Sequence, residues 1–168
     1  MNPTNPELIY AKAELDDLFG RFDNEIKTYE AALPANPDHE VFLNNYAVIM
    51  ALHNRDGSTK PLNAINRIIA KKGPRPTYLD TRAIVHIAGE RYDEAARDLT
   101  IAISLDPRPV YYFHLAIVYE KQSTEKPELN KLRDSAIEEA AQRGLTKAML
   151  HQKEWADFDR LVAPKLTK

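Results

Sequence analysis

The five histidines are the side chains in this sequence best suited to bind a metal or to transfer a proton. They are His39, His53, His86, His114 and His151. Metal-binding helices commonly carry two histidines four residues apart, as in the H-E-x-x-H pattern, and this spacing does not occur here. The chain also has no cysteine, which excludes zinc–thiolate sites and a cysteine nucleophile. The sequence therefore predicts that no metal is bound and that chelators do not affect folding.

The carboxylates are numerous, but their spacing is not typical of acid–base catalysis. Asp16 and Asp17 are neighbours in one predicted helix, and Glu138 and Glu139 in another, so the members of each pair point in different directions. Phosphate-binding loops and nucleophile elbows need glycines at fixed spacing, and the five glycines form neither pattern. We therefore predict that the chain is not an enzyme and uses no cofactor.

The charge and hydropathy of the chain disfavour two further classes of partner. With 23 basic and 25 acidic residues the formal net charge is −2, whereas a protein that binds nucleic acid needs a basic surface. No apolar run approaches the roughly 20 residues of a membrane-spanning helix. The first residues, Met1 to Pro6, are polar and lack the apolar core of a signal peptide. The sequence thus predicts no nucleic-acid or membrane partner and a cytoplasmic location.

Apolar residues recur at helical spacing along the whole chain, as in Leu43, Ala47 and Met50. No stretch alternates for long enough with the period of two that a strand requires. Turn-forming residues such as Asp56-Gly57-Ser58 and Gly73-Pro74 separate the apolar stripes. The pattern predicts nine helices, at about 6–19, 23–34, 38–53, 60–72, 77–88, 92–104, 109–122, 127–143 and 147–162.

The predicted helices repeat in pairs. Phe22-Asp23-Asn24-Glu25-Ile26 matches Tyr92-Asp93-Glu94-Ala95-Ala96, and the two segments lie 70 residues apart, which is close to two periods of about 34. The first helices of three pairs share one spacing with an alanine at the small-residue position: Leu43-x2-Tyr46-Ala47-x2-Met50, Leu79-x2-Arg82-Ala83-x2-His86 and Tyr112-x2-Leu115-Ala116-x2-Tyr119. In the third pair this pattern continues to the second helix as Ala95, Leu99, Ala102 and Pro107.

This pattern resembles the tetratricopeptide repeat, W-x2-L-G-x2-Y followed by A-x3-F and P. The sequence is similar to repeats at the C-terminal end of longer bacterial proteins of that family in three segments: Leu79–Ala83, Tyr112–Ala116 and Gly144-Leu145. The resemblance implies an all-α, right-handed α-solenoid of antiparallel helix pairs in a single domain, 1–168. The pairs would be about 6–34, 38–72, 77–104 and 109–143, with a C-terminal capping helix at about 147–162.

The first predicted pair departs from the repeat, because Lys12, Asp16 and Glu25 stand where Leu, Tyr and Ala are expected. Polar residues at these positions suit a terminal repeat with one face in water, or a repeat whose neighbour is missing. In the third pair Arg82 also stands where an apolar residue is expected, and Asp98 lies on the following helix. We predict that Arg82 and Asp98 form an ion pair within the repeat.

The resemblance also implies a binding surface, since tetratricopeptide arrays bind peptides on the concave face that their first helices form. By position in the motif, the residues lining it would be Asn44, Val48, Asp80, Ile84, Phe113 and Ile117. Few of these are charged, so binding is expected to weaken only slightly with salt. Some family members grip a peptide carboxylate, and the positions matching that set here are Tyr10, Glu14, Asn45, Thr77 and Thr81. Only Asn45 agrees, and we interpret it as a hydrogen-bonding residue between helices.

These observations favour a non-catalytic scaffold that binds a protein or peptide on its concave face. Two alternatives remain open. The array can be a structural spacer or a module that self-associates, or it can be the regulatory tail of a larger bacterial enzyme. The sequence does not identify the partner.

Overall fold

The computed structural model of the chain describes residues 5–53 and 59–166. The predicted turn at Asp56-Gly57-Ser58 lies outside these ranges. Within them the chain is helical and contains no strand, and no helix is long and apolar enough to cross a lipid bilayer. The helices are α1 (Pro6–Leu18), α2 (Phe22–Ala32), α3 (Glu40–Leu52), α4 (Thr59–Lys72), α5 (Pro76–Ala88), α6 (Tyr92–Leu105), α7 (Pro109–Gln122), α8 (Leu129–Gln142), α9 (Trp155–Leu161) and α10 (Ala163–Leu166).

Residues with special backbone properties set several helix ends. The Asn5 side chain accepts a hydrogen bond from the Glu7 backbone N–H at 2.9 Å and caps the start of α1. Pro76 and Pro109 are the first residues of α5 and α7. A proline is well tolerated there, because the N–H groups of the first helical turn have no acceptor within the helix. After α1 the chain turns at Gly20, whose φ of 66° is a left-handed conformation that a side chain would disfavour.

Consecutive helices pack as four pairs, α1 with α2 through α7 with α8, and neighbouring pairs stack on one another. The small residue in the first helix of three pairs allows this close approach, since Ala47, Ala83 and Ala116 are fully buried. Large apolar side chains such as Phe42 and Leu99 fill the space between the helices. The arrangement is an all-α solenoid, and the predicted fold class is confirmed.

The end of the chain differs from the single helix predicted over 147–162. It forms two 3₁₀ turns, Lys147–Met149 and Gln152–Glu154, before α9 begins. Leu150 and His151 between the turns are extended, with ψ of 150° and 149°. Glu154 accepts a hydrogen bond from the His151 backbone N–H at 3.0 Å, which starts a new helical turn at this point. A continuous helix therefore cannot run through residues 150 and 151.

The C-terminal segment, defined here as residues 145–166, covers the last helix pair and then reaches the first. Phe158 and Leu161 pack in one apolar cluster with Ile137 of α8, as a capping helix does. Gln152 Nε2 donates a hydrogen bond to the backbone carbonyl of Asp17 in α1 at 3.3 Å. The two ends of the chain are thus in contact across the inner side of the array.

Candidate functional site

The predicted binding residues lie on α3, α5 and α7, which are first helices of their pairs. The two on α3, Asn44 and Val48, are half-buried and remain partly accessible. The other four are buried: Asp80, Ile84, Phe113 and Ile117. Four of the six predicted residues are thus largely shielded from solvent in this structure.

The C-terminal segment buries the two predicted apolar anchors on α7. Phe113 and Ile117 belong to the apolar cluster that includes Leu150, Phe158 and Leu161. Phe113 is fully shielded from solvent. The inner surface of α7 is consequently part of the core and not the open groove lining that the sequence predicts.

Asp80 belongs to a buried polar cluster that joins three parts of the chain. Nδ1 of His114 in α7 lies 2.6 Å from Oδ1 of Asp80 in α5, and Nε2 of His114 lies 2.7 Å from Oε1 of Glu154. When both carboxylates are ionised, both contacts are hydrogen bonds only if both ring nitrogens carry a proton, that is, if the ring is an imidazolium. We call this cluster the Asp80–His114–Glu154 clamp.

Burial and charge act in opposite directions on the pKa of His114. Burial lowers the pKa, but the two carboxylates outweigh that effect and raise it to about 10. For Glu154 burial raises the pKa, and the His114 imidazolium more than offsets this, so that its pKa lies below the ordinary value. The clamp is therefore charged at neutral pH.

The clamp is structural, although an imidazole between two carboxylates has the composition of a catalytic site. His114 is only 2% exposed, so a substrate cannot reach its ring. Sequence reasoning missed the cluster because its members lie 34 and 40 residues apart and follow no local pattern. The clamp holds the C-terminal segment against the inner face.

The N-terminal half of the inner face keeps an open cavity of about 200 Å³ between α1, α2 and α3. The C-terminal segment contributes one residue to its wall. We call it the acidic cavity; it is lined by Tyr10, Glu14, Asp17, Glu25, Tyr29, Asn45, Val48, Ile49 and His151. Of the six predicted binding residues, this set contains Val48 alone.

Glu25 is the most unusual residue of the acidic cavity. It matches Ala95 in the repeat and occupies the same kind of buried position, with 7% of its surface exposed. Its Oε2 atom has no hydrogen-bond partner. Burial, followed by the nearby charges of Asp17 and Asp16, raises the pKa of Glu25 to about 8.

Other polar groups of the acidic cavity contact one another, although Asp17 Oδ1 and His151 Nε2 are also buried without a hydrogen bond among the described residues. His151 Nε2 lies 3.0 Å from Asp17 Oδ1 and can form an ion pair when protonated. The Tyr10 hydroxyl donates to Glu14. Asn45 Nδ2 donates to the Tyr29 hydroxyl at 3.2 Å, which confirms its expected role as a hydrogen-bonding residue between helices.

The positions that match a carboxylate-gripping set do not form a basic site. Tyr10, Glu14 and Asn45 line the acidic cavity, whereas Thr77 and Thr81 are absent from its wall. Thr81 instead donates a hydrogen bond to Asn44 at 2.9 Å. The cavity consequently has the wrong charge to hold a carboxylate.

A second surface with binding potential lies between α1 and α2. It is a broad, mostly apolar concavity of about 910 Å³, lined by residues that include Leu8, Leu15 and Ala31. Leu8 and Leu15 are 47% and 48% exposed. We call this the α1–α2 apolar surface.

Comparisons with known proteins bear on the fold. No protein-family model and no curated protein matches the sequence. Among solved structures, MamA from residue 41 to its end, from Desulfovibrio magneticus RS-1, is 14% identical with a TM-score of 0.65, over 83% of this chain and 75% of that chain. Another MamA structure is 14% identical with a TM-score of 0.61, over 96% of this chain and 85% of that chain.

A tetratricopeptide repeat protein from Parabacteroides merdae ATCC 43184 is 18% identical with a TM-score of 0.64, over 99% of this chain and 72% of that chain. Identities this low show a shared fold and carry no information about ligands. The repeat pattern in the sequence, the stacked helix pairs and these likenesses agree. The chain therefore has a tetratricopeptide-like fold.

Proposed function

We propose that the chain is a non-catalytic interaction scaffold that binds an extended peptide on the N-terminal half of its inner face. The observation that supports this is the open cavity between α1, α2 and α3, next to a C-terminal half that the chain fills itself. Val48 offers an apolar contact there, and Asn45 offers an amide. A few polar groups among apolar ones are typical of sites that bind peptides in a fixed register.

The proposal predicts that truncating Val48 weakens peptide binding. Peptides selected from a random displayed library against the whole chain would serve as probes, with affinity measured by calorimetry. Val48→Ala should cost more than about 1 kcal/mol if this side chain is an anchor. Amidation of the peptide C-terminus should not change the affinity, because His151, the one lining residue that can carry a positive charge, already faces Asp17.

Val41→Ala is the matched control for this experiment. Val41 lies on the same helix, is 40% exposed and is not part of the cavity wall, so its truncation should leave affinity unchanged. Equal affinities for wild type, Val48→Ala and Val41→Ala would place peptide binding elsewhere on the array and overturn the proposal.

A second candidate function is self-association through the α1–α2 apolar surface. Large exposed apolar areas on a soluble protein commonly mark an interface. Each later helix pair is stacked between neighbours or covered by the C-terminal segment, whereas this surface of the first pair faces solvent among the described residues. We propose that a second copy of the chain covers it.

This candidate predicts a dimer that depends on Leu8 and Leu15. Light scattering should show a molar mass that rises with concentration towards twice that of the chain. Leu8→Glu combined with Leu15→Glu should keep the protein monomeric, because two charges would be desolvated in the interface. Leu132→Glu is the control, since Leu132 on α8 is equally exposed, at 48%, and lies away from this surface. A wild type that stays monomeric at every concentration would contradict the candidate.

A further inference from the structure

The charges around the acidic cavity do not balance. Three carboxylates line it, those of Glu14, Asp17 and Glu25, and His151 is the one lining residue that can carry a positive charge. His151 faces Asp17 at 3.0 Å. The cavity thus offers more negative than positive groups to anything that enters it.

The neighbouring basic residues do not compensate for Glu25. Lys12 Nζ lies 2.9 Å from Asp16 Oδ2, and Arg21 Nε lies 2.8 Å from Asp16 Oδ1. Both therefore neutralise Asp16, which is buried on α1. Within residues 5–53 and 59–166, Oε2 of Glu25 has no hydrogen-bond partner, although the side chain is more than nine-tenths buried.

A buried carboxylate without a partner is unfavourable, and proteins relieve it by protonation or by pairing. Burial and the charges of Asp17 and Asp16 favour protonation of Glu25, because they raise its pKa to about 8. A positive group in the cavity would provide the second. An unpaired acceptor in an open cavity is therefore a site prepared for a cation.

We propose that the acidic cavity binds the charged end of one basic side chain, a lysine or an arginine, of the peptide partner. This inference rests on the proposed function, since it assigns the chemistry of one contact of the same peptide. The volume of about 200 Å³ holds such a group, since a water molecule occupies about 30 Å³ in the liquid. Glu25 and Glu14 accept its hydrogen bonds, and Val48 packs against its aliphatic stem.

Binding of the basic group should release a proton from Glu25 near neutral pH. The groups that face Glu25 are those of α1, α2, α3 and the C-terminal segment: Glu14, Asp16, Asp17, Tyr29, Asn45 and His151. Since the carboxylate must be ionised to bind a cation, affinity should increase as the pH rises towards 8. The increase is at most about tenfold for each pH unit.

The test is an NMR titration of the whole chain with blocked amino acids that imitate single side chains. The probes are Nα-acetyl-lysine methylamide and Nα-acetyl-arginine methylamide, and the norleucine analogue serves as a neutral probe of similar shape. The side-chain amide of Asn45 and the carboxyl carbon of Glu25 report on occupancy. We expect saturable shifts with one or both basic probes, and which of the two binds more tightly identifies the preferred side chain. The norleucine analogue should give no shift.

Glu25→Gln removes the charge and keeps the shape. It should weaken binding of the basic probe at least tenfold at pH 8, and it should leave the melting temperature equal or higher because an unpaired buried acid is lost. Glu125→Gln is the matched control, since Glu125 is exposed in the connection between α7 and α8. Equal binding to the wild type and Glu25→Gln, or equal binding of the norleucine and lysine probes, would overturn the inference.

Failure of this inference is distinguishable from failure of the proposed function. If library-selected peptides show no enrichment of lysine or arginine and ignore Glu25→Gln, but lose affinity with Val48→Ala, the scaffold function stands and the basic contact is wrong. If Val48→Ala also has no effect, both are wrong. Enrichment of a basic residue together with loss of affinity in Glu25→Gln supports both.

Discussion

Replacing His114 with alanine is expected to lower the free energy of unfolding at pH 7 by about 3–5 kcal/mol, because it leaves two buried carboxylates without their shared cation. His114 is 2% exposed and lies within 2.7 Å of Asp80 and Glu154. Chemical denaturation followed by circular dichroism would measure the loss. The variant should also become more sensitive to proteolysis in the C-terminal segment, which the clamp attaches to α5 and α7.

The stabilising effect of His114 should depend on pH in a defined direction. The folded state raises the pKa of His114 from 6.5 to about 10. A raised pKa gives stability that is complete below pH 6.5 and is lost as the pH rises towards 10. The wild type should therefore lose up to about 1.4 kcal/mol of stability per pH unit in this range, relative to His114→Ala.

The control for this prediction removes the carboxylate charges as well. In Asp80→Asn/His114→Ala/Glu154→Gln no group of the clamp is ionised, so part of the lost stability should return. A difference between wild type and His114→Ala that stays constant from pH 7 to 10 would show that His114 is neutral in the folded protein. That outcome would contradict the charged clamp.

The sequence predicts the helix pairs well because their information is local. Apolar spacing, prolines at helix starts and small residues such as Ala83 act within one repeat, and each repeat contacts mainly its neighbours. The ion pair of Arg82 and Asp98 could be predicted for the same reason, since both residues belong to one repeat. Two unexpected polar residues at facing positions of one helix pair need each other, and the structure confirms that they are paired.

The position of the C-terminal segment could not be predicted from the same information. Its contact with α1 joins Gln152 to Asp17, which are 135 residues apart. The extended residues Leu150 and His151 lie in a stretch with helical apolar spacing, so the pattern gives one helix where the structure has a break. The repeat motif could not indicate the burial of Phe113, because the C-terminal segment that packs in the same cluster belongs to no repeat.

The repeat motif could not predict the charge of the acidic cavity either. The repeat assigns groove positions on first helices, whereas Glu25 comes from a second helix, at a position normally occupied by alanine. The acidic cavity thus carries more charge than the six predicted groove residues do. The affinity of a ligand in the acidic cavity should fall markedly as the salt concentration rises, because salt screens those charges that are in contact with water.

Arg82→Ala is the second substitution with a large expected effect, again about 3–5 kcal/mol of unfolding free energy. Arg82 Nε and Nη2 donate to the two carboxylate oxygens of Asp98, each at 2.7 Å, and Nη1 donates to Asn66 at 3.2 Å. Asp98 is 5% exposed, so water could not replace the arginine, and the remaining basic neighbour, His86 at 3.8 Å, has its pKa lowered by burial. The pair joins α5 to α6, and Asn66 extends the contact to α4.

Two comparisons separate this effect from the general cost of removing an arginine. Arg67 Nε lies 2.8 Å from Asp38, but both side chains are more than two-fifths exposed, so Arg67→Ala should cost no more than about 1 kcal/mol. Arg82→Met with Asp98→Leu removes both charges and should recover most of the stability that Arg82→Ala loses. If Arg82→Ala and Arg67→Ala have equal, small effects on the denaturation midpoint, water compensates Asp98, and the third repeat does not depend on this pair. If the double variant is as unstable as Arg82→Ala, the loss comes from packing of the arginine stem and not from an unpaired charge.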